Sequence, residues 1–218
     1  MSRLSFDELN AIDLAESLTE EYMADSDYER YFGEMDLPDE EIQKRISFAE
    51  KFEDTMLFIF ALYLIMRRYG HMNEKYIISQ LQEKYSEIVS EYMAVDKHMN
   101  GYIEDFSQET IDVTKRHDGE EYFTSRERAI LLAENEANTS LNYGQYVDAL
   151  KKGYKKKIWI SERDSRVRAT HREVDGVEIP IDRPFLVGDS LMKFPKDTSM
   201  GASTTEIAGC RCTVKYLK

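Results

Sequence analysis

Cysteine is almost missing from this sequence. Cys210 and Cys212 are the two in 218 residues and stand one residue apart, so no disulfide framework staples the chain. Long apolar runs are missing too. The longest, residues 56–66, reads M-L-F-I-F-A-L-Y-L-I-M, eleven residues against the roughly 20 a membrane span needs. A run of that length suits a helix buried on all sides. Ser2-Arg3-Leu4-Ser5-Phe6-Asp7-Glu8 leads into acidic sequence rather than the apolar core of a signal peptide. These absences lead us to expect a soluble protein made in a reducing cytoplasm. G-x-x-x-x-G-K, G-x-G-x-x-G, H-E-x-x-H and EF-hand patterns do not occur, which removes the chemistries those motifs carry. Internal repeats and low-complexity tracts do not stand out.

Positive charge is scarce in the first two-thirds. Residues 1–150 hold 14 Lys and Arg against 33 Asp and Glu, a net of −19, whereas residues 151–218 hold 15 against 9, a net of +6. The acidic part should repel nucleic acid, and the basic part suits phosphates or an acidic partner. The plainer reading is that the halves attract each other or keep the chain soluble. A hydrophobic share of 42% is enough for a core, and the length suits one large domain or two small ones.

Helical signals fill residues 1–120. Ser5 with Glu8 makes a capping-box pattern opening a helix over residues 5–32, with Leu9, Ile12, Leu14, Leu18 and Tyr22 on its apolar side. Gly33 to Pro38 is a break. Pro38-Asp39-Glu40-Glu41 starts a second helix that runs to Tyr69, with Arg67 and Arg68 before a Gly70 stop. A third helix spans residues 73–99 with Tyr76, Ile77, Leu81, Tyr85, Ile88, Val89 and Tyr92 on one face. Asn100-Gly101 reads as a turn, residues 102–115 as a further helix, and His117-Asp118-Gly119-Glu120 as a polar loop. From Ser125 one long amphipathic helix runs to Gly153, carrying a stripe of Ile130, Ala133, Ala137, Ser140, Leu141 and Gly144. Residues 155–160 turn β-like. Turn signals follow at Asp175-Gly176, Arg183-Pro184, Val187-Gly188-Asp189 and Phe194-Pro195, and residues 212–216 make a closing strand. The expected fold is α+β: an acidic helical region over residues 1–120, then a small mixed domain with short strands over residues 121–218.

The last sixty residues hold the unusual chemistry: the sole Trp, Trp159, both cysteines, and an Asp164-Arg166-Arg168-His171 cluster. On a helix, Asp164 would meet Arg168, and Arg168 would meet His171. We expect Trp159, Asp164, Arg166, Arg168, His171 and Asp197 to form a polar network that fixes the domain. In a strand, Cys210 and Cys212 would point to one face. With His171 they offer three zinc ligands, and Asp164, Asp189 or Asp197 offers a fourth. A Cys nucleophile with His171 as base is the competing use of the same groups; no third group orients the histidine, and no oxyanion-hole signal stands apart, so an enzyme is not expected. Lys151, Lys152, Lys155, Lys156 and Lys157, beside Tyr154 and Trp159, form a basic stretch suited to DNA backbone or to a solvated helix end.

The order of these residues resembles the phage Mu F-like minor head proteins, also called phage head morphogenesis proteins. Members share a helix with an R-A-x-x-I-A-x-x-E-like pattern, a W-x-x-x-x-D-x-R-x-R-x-x-H segment, a D-G turn, a P-x-D loop and a terminal C-R-C. Here these fall at residues 128–136, 159–171, Asp175-Gly176, Pro195-Lys196-Asp197 and Cys210-Arg211-Cys212. Gly209 stands where Asn is usual before the first Cys, and P-K-D where P-G-D is usual. The likeness covers residues 125–217. It implies a non-enzymatic minor capsid protein, present in several copies, that associates with the portal vertex or head interior during head morphogenesis. The implied partners are portal protein, major capsid protein and packaged DNA, whose delivery some members affect. The implied location is the virion, with host cytoplasm during assembly. The alternative from the residues is a metal-dependent or Cys-His hydrolase or nuclease built on His171, Cys210 and Cys212.

Overall fold

The computed structural model describes residues 11–15 and 27–218. The chain is α+β, with helices through most of its length and short antiparallel strands near the end. It forms two compact units. The first takes the described residues before Asp27 together with Phe48–Ala133, and the second takes Asp27–Ser47 and Glu134–Lys218. Residue 120 lies inside the first unit.

Residues 11–15 are helical, with Ala11 and Ala15 buried and Leu14 41% exposed. The Ser5 and Glu8 capping pattern, Leu9, Leu18 and Tyr22 lie outside the described residues. The expected helix over residues 5–32 does not continue through Asp27. That residue is non-helical, and its carboxylate accepts from Arg30 N to open a new short helix, α1 (Tyr28–Gly33). Helix α2 (Asp39–Tyr69) follows Pro38 as the spacing predicts, with acids in its first turn and Arg67 and Arg68 in its last. Gly70 ends it at φ +70°, and His71 N reaches back to Met66 O at 3.0 Å.

The expected third helix, residues 73–99, ends earlier, and the break before the next helix falls at residues 93–96 and not at Asn100-Gly101. Helix α3 (Glu74–Tyr92) is capped by Asn73, whose side chain accepts from Tyr76 N. Helix α4 (Lys97–Arg116) is capped by Asp96, which accepts from Met99 N at 3.0 Å. This cap overrides the Asn100-Gly101 turn signal, and both residues are helical. A 3-10 turn (Glu121–Thr124) leads to α5 (Arg126–Lys151).

The first unit packs around aromatic rings. Phe52 is fully buried against Phe48, Tyr85 and Phe106, with centroids at 6.1, 4.6 and 5.8 Å. The apolar run over residues 56–66 forms part of this core: Leu57 and Ala61 are half-buried, Leu64 is 40% exposed, and the other eight residues are buried. Among the described residues, no helix is long and apolar enough to cross a membrane. Arg128 is buried here, donating to Thr114 Oγ1 at 2.8 Å and lying over the Phe60 and Phe123 rings.

In the second unit, β1 (Lys156–Ile160) is the centre of a three-stranded antiparallel sheet ordered β2-β1-β5, with β2 (Glu178–Pro180) and β5 (Thr213–Leu217). Trp159 pairs with Val214, and Ile158 with both Glu178 and Lys215. The β3 (Phe185–Val187) and β4 (Ser190–Met192) strands make a hairpin across Gly188-Asp189. Short helices α6 (Ala169–Glu173) and α7 (Thr204–Ile207) complete the unit. Strand alternation puts Lys157 and Trp159 on the inner face of β1 and Lys156 on the outer one.

Phe52→Ala is expected to remove the centre of the ring cluster and destabilise the first unit by about 3–5 kcal/mol. Chemical denaturation followed by circular dichroism will read this; a loss under about 1 kcal/mol would show that the cluster is not the core.

Candidate functional site

The candidate site is built where α5, α6, α7 and the C-R-C segment meet inside the second unit. Cys210 and Cys212 precede β5 rather than lying in it, so strand alternation is not what aligns them. A hydrogen bond does: Cys212 N donates to Cys210 Sγ at 3.4 Å. Both sulfurs face one nitrogen. His171 Nδ1 is 3.3 Å from Cys212 Sγ and 3.6 Å from Cys210 Sγ. All three side chains are buried, at 2%, 2% and 3% exposure for His171, Cys210 and Cys212.

The other nitrogen of His171 is also occupied. Nε2 lies 3.0 Å from Glu206 Oε2, which accepts from Thr170 Oγ1 at 2.8 Å. Glu206 belongs to none of the motifs noted above. The signal for it was Ser203-Thr204-Thr205-Glu206, a capping-box pattern in which Ser203 does cap α7. Gly188, at φ +56°, lets the hairpin turn approach this carboxylate: a Cβ there would meet Glu206 Oε1 at 2.9 Å and Thr170 Cγ2 at 3.1 Å.

The two thiols are electrostatically unequal. The Cys212 thiol, then His171 and Lys196, hold Cys210 well below the usual thiol range against the effect of burial. The hydrogen bond to Cys210, then burial and the charge on Cys210, push Cys212 up. Burial acts to lower His171, but the hydrogen bond and charge of Cys210 win and raise it.

Trp159 packs edge-on to the His171 ring at 5.6 Å. It is fully buried, and its Nε1 has no hydrogen-bond partner among the described residues. Arg168 does not pair with Asp164: no helix spans residues 161–168, and the Arg168 guanidinium donates to Ala208 O instead. Asp164 pairs with Arg166 at 3.2 Å and with Arg211, and both arginines also reach Glu34. The hydrogen bond from Arg211 holds the Asp164 carboxyl down at about 2.

No aspartate joins the sulfurs. Asp197 accepts from Lys193 N and Ser199 N, both at 2.9 Å, and so shapes the loop after β4. Asp189 is exposed in the hairpin turn. The expected carboxylate ligands therefore do not join the sulfurs, and His171, Cys210 and Cys212 stand as a group of three among the described residues.

The C-R-C backbone is fixed from the other side by Arg45, the largest buried cation of this unit at 0% exposure. Its Nε donates to Asn138 Oδ1 at 3.0 Å, and its Nη2 to Asn142 Oδ1 at 3.1 Å. Asn138 Nδ2 in turn donates to Cys210 O at 3.5 Å, and Asn142 Nδ2 to Cys212 O at 3.2 Å and Pro195 O at 3.4 Å. Burial pushes Arg45 down to about 10, so it stays charged at neutral pH. Asn138 and Asn142 stand four residues apart on α5, beside the expected small-residue stripe and not part of it.

The basic stretch is thinner than expected. Lys157 is fully buried, donating to Lys193 O at 2.6 Å between the Tyr146 and Phe185 rings, and burial lowers it to about 8. It cannot meet DNA from there. Lys152 pairs with Asp148 at 2.7 Å and Lys156 with Glu178 at 2.6 Å. Lys151 and Lys155 are exposed.

Residues 79–215 match the family described as Phage Mu protein F like protein. This is well over half of the sequence, and the chain belongs to that family, one of phage head morphogenesis proteins. It is also similar to the NAD(+)--arginine ADP-ribosyltransferase EFV of Enterococcus faecalis (strain ATCC 700802 / V583), being 32% identical over 98 residues that make up 43% of this chain and 20% of that protein. The chain thus covers a small part of that relative's length. No solved structure matches.

Arg45→Ala is expected to strand the two asparagine acceptors and cost the second unit about 3–5 kcal/mol, as read by urea denaturation; a loss under about 1 kcal/mol would remove Arg45 from this role. A pH effect follows from Glu162 and Glu134, both raised by burial from 4.5 to about 7. Such an acid keeps its proton in the fold after the unfolded chain has lost it. Its contribution is therefore full below about pH 4.5 and is lost as pH rises through about 7. Glu162→Gln should flatten the fall in stability across that window relative to the parent, and an unchanged slope would refute the assignment.

Proposed function

We propose that this chain is a minor head protein that associates with the portal vertex or the head interior during head morphogenesis, in several copies, and is carried in the virion. The observation that carries this reading is the family match, which runs through the C-R-C segment to residue 215. The part in common with the ADP-ribosyltransferase is 20% of that protein, and we read it as a module of assembly rather than of catalysis.

The site itself favours a non-enzymatic role. A nucleophilic thiol must be reached by substrate, yet Cys210 and Cys212 are 2% and 3% exposed. Their neighbour His171 is held by Glu206 and by the sulfurs, at 2% exposure. A hydrolase or nuclease would need this enclosure to open. The cluster and the Arg45 network serve to hold the small domain in one shape. That suits a protein whose work is to present a fixed surface to portal and capsid proteins. Contact with packaged DNA, if it is made through the basic stretch, falls to Lys151 and Lys155.

Co-expression with the portal and major capsid proteins of the same phage tests the reading. The chain is expected to co-purify with portal rings or procapsids, and failure to bind either would sink it. DNA contact has its own readout. Lys151→Glu with Lys155→Glu should lower the slope of log affinity against log salt by about 2. A parent protein without measurable DNA affinity at low salt would confine its contacts to protein.

A further inference from the structure

We propose that His171 Nδ1 and the sulfurs of Cys210 and Cys212 bind one zinc ion. The geometry comes first. With Zn–S near 2.3 Å and Zn–N near 2.0 Å, tetrahedral angles put each sulfur about 3.5 Å from the nitrogen. The two separations are 3.3 and 3.6 Å, and the three donor atoms lie within 4.8 Å of one another. Hydrogen bonding explains this poorly, because Nδ1 has one lone pair or one proton and faces two sulfurs.

The surroundings of the histidine point the same way. A metal-bound imidazole almost always donates its other N–H to a carboxylate or carbonyl, which fixes the tautomer. His171 Nε2 sits 3.0 Å from Glu206 Oε2, and Thr170 holds that carboxylate in place. Glu206 is on the far side of the ring from the sulfurs, so it orients the ligand and does not join the ligand set. The three protein ligands leave one tetrahedral vertex for a water molecule. Trp159 packs edge-on against the His171 ring at 5.6 Å and closes the site on that side.

Charge and chemical softness select the ion. Two thiolates, one neutral imidazole and a divalent cation sum to zero, which is the condition for burying charge at tolerable cost. Sulfur with imidazole suits zinc and disfavours magnesium or calcium, which take oxygen. On binding, Zn²⁺ takes the sulfur electron pairs, any protons on the two thiols leave to solvent, and no electron is transferred.

The test uses the full-length protein, purified under reducing conditions from zinc-supplemented medium. Elemental analysis should find roughly one zinc per chain, and an alkylating reagent should reach the thiols only after a chelator is added. Cobalt(II) supplied in place of zinc should give a thiolate-to-metal charge-transfer band and tetrahedral visible bands. Cys210→Ser should lose the charge-transfer intensity. Glu206→Gln keeps all three ligands and should weaken zinc binding about 10- to 100-fold, which carries the test if the cysteine variant does not fold. The proposal is overturned if the folded, reduced protein holds no zinc and gives only weak octahedral cobalt bands. It is equally overturned if Glu206→Gln binds zinc as tightly as the parent, or if mass analysis of the fresh protein finds Cys210 and Cys212 joined as a disulfide.

Discussion

Arg45 sits without solvent contact in the second unit, paired with Glu41 at 3.5 Å and bonded to two asparagines that are themselves tied to the C-R-C backbone. A buried guanidinium without partners would be costly. Its planar fork demands acceptors at set positions, and Asn138 and Asn142 provide them one helical turn apart on α5. Each asparagine then turns its amide nitrogen to a main-chain carbonyl of Cys210 or Cys212. The strand-like segment carrying both sulfurs is thus positioned by a helix it does not pair with. Where the sulfurs lie relative to His171 depends on this chain of hydrogen bonds together with the Cys212 N–H bond to Cys210 Sγ.

The loops around the site are shaped by backbone that L-residues avoid. Gly209 has φ +62° and gives its N–H to Asn135 Oδ1 at 2.8 Å. Lys196 has φ +70°, in the P-K-D loop where the resemblance carries glycine. For a residue with a Cβ this conformation costs about 1–2 kcal/mol. Lys196 offsets it with its ammonium, which is buried and bonded to the same Asn135 Oδ1. One asparagine oxygen therefore anchors both departures from the family pattern. Asn at position 209 would also tolerate that φ, which accounts physically for the usual residue.

Much of this was legible in the residues. Charge at helix ends and the Gly70 and Gly153 stops located α2 and α5, and the motif order located the domain that holds His171, Cys210 and Cys212. What was not legible has common causes. Asp27 and Asp96 each cap a helix inside a stretch read as one helix, past the last residue of its apolar face, and spacing alone cannot see a cap. Asp164 and Arg168 were paired on the assumption of a helix, but residues 161–168 bend and Arg163 takes φ +56°. Arg45 and Glu34 were missed because they reach the site from far along the chain, and Glu206 because its capping-box pattern marks a helix start and not its contact with His171.

Charge counted along a sequence is not charge presented at a surface. The net of +6 over residues 151–218 suggested a basic face. Yet Lys157, Lys196 and Arg211 are buried, and they serve a carbonyl, an asparagine and a carboxylate respectively. Lys152, Lys156, Arg163 and Arg166 are held in ion pairs with acids of the same unit. Exposed pairs of this kind contribute little to stability, but they do cancel field at a distance of a Debye length. Part of the basic surplus of the domain is therefore an internal resource. It stabilises thiolate at Cys210, orders the 160s loop through Asp164, and supports the inner face of β1. Lys151, Lys155, Arg172, Arg183, Lys215 and Lys218 remain exposed, so the surface keeps a reduced positive charge, which steers and selects a partner more than it adds affinity.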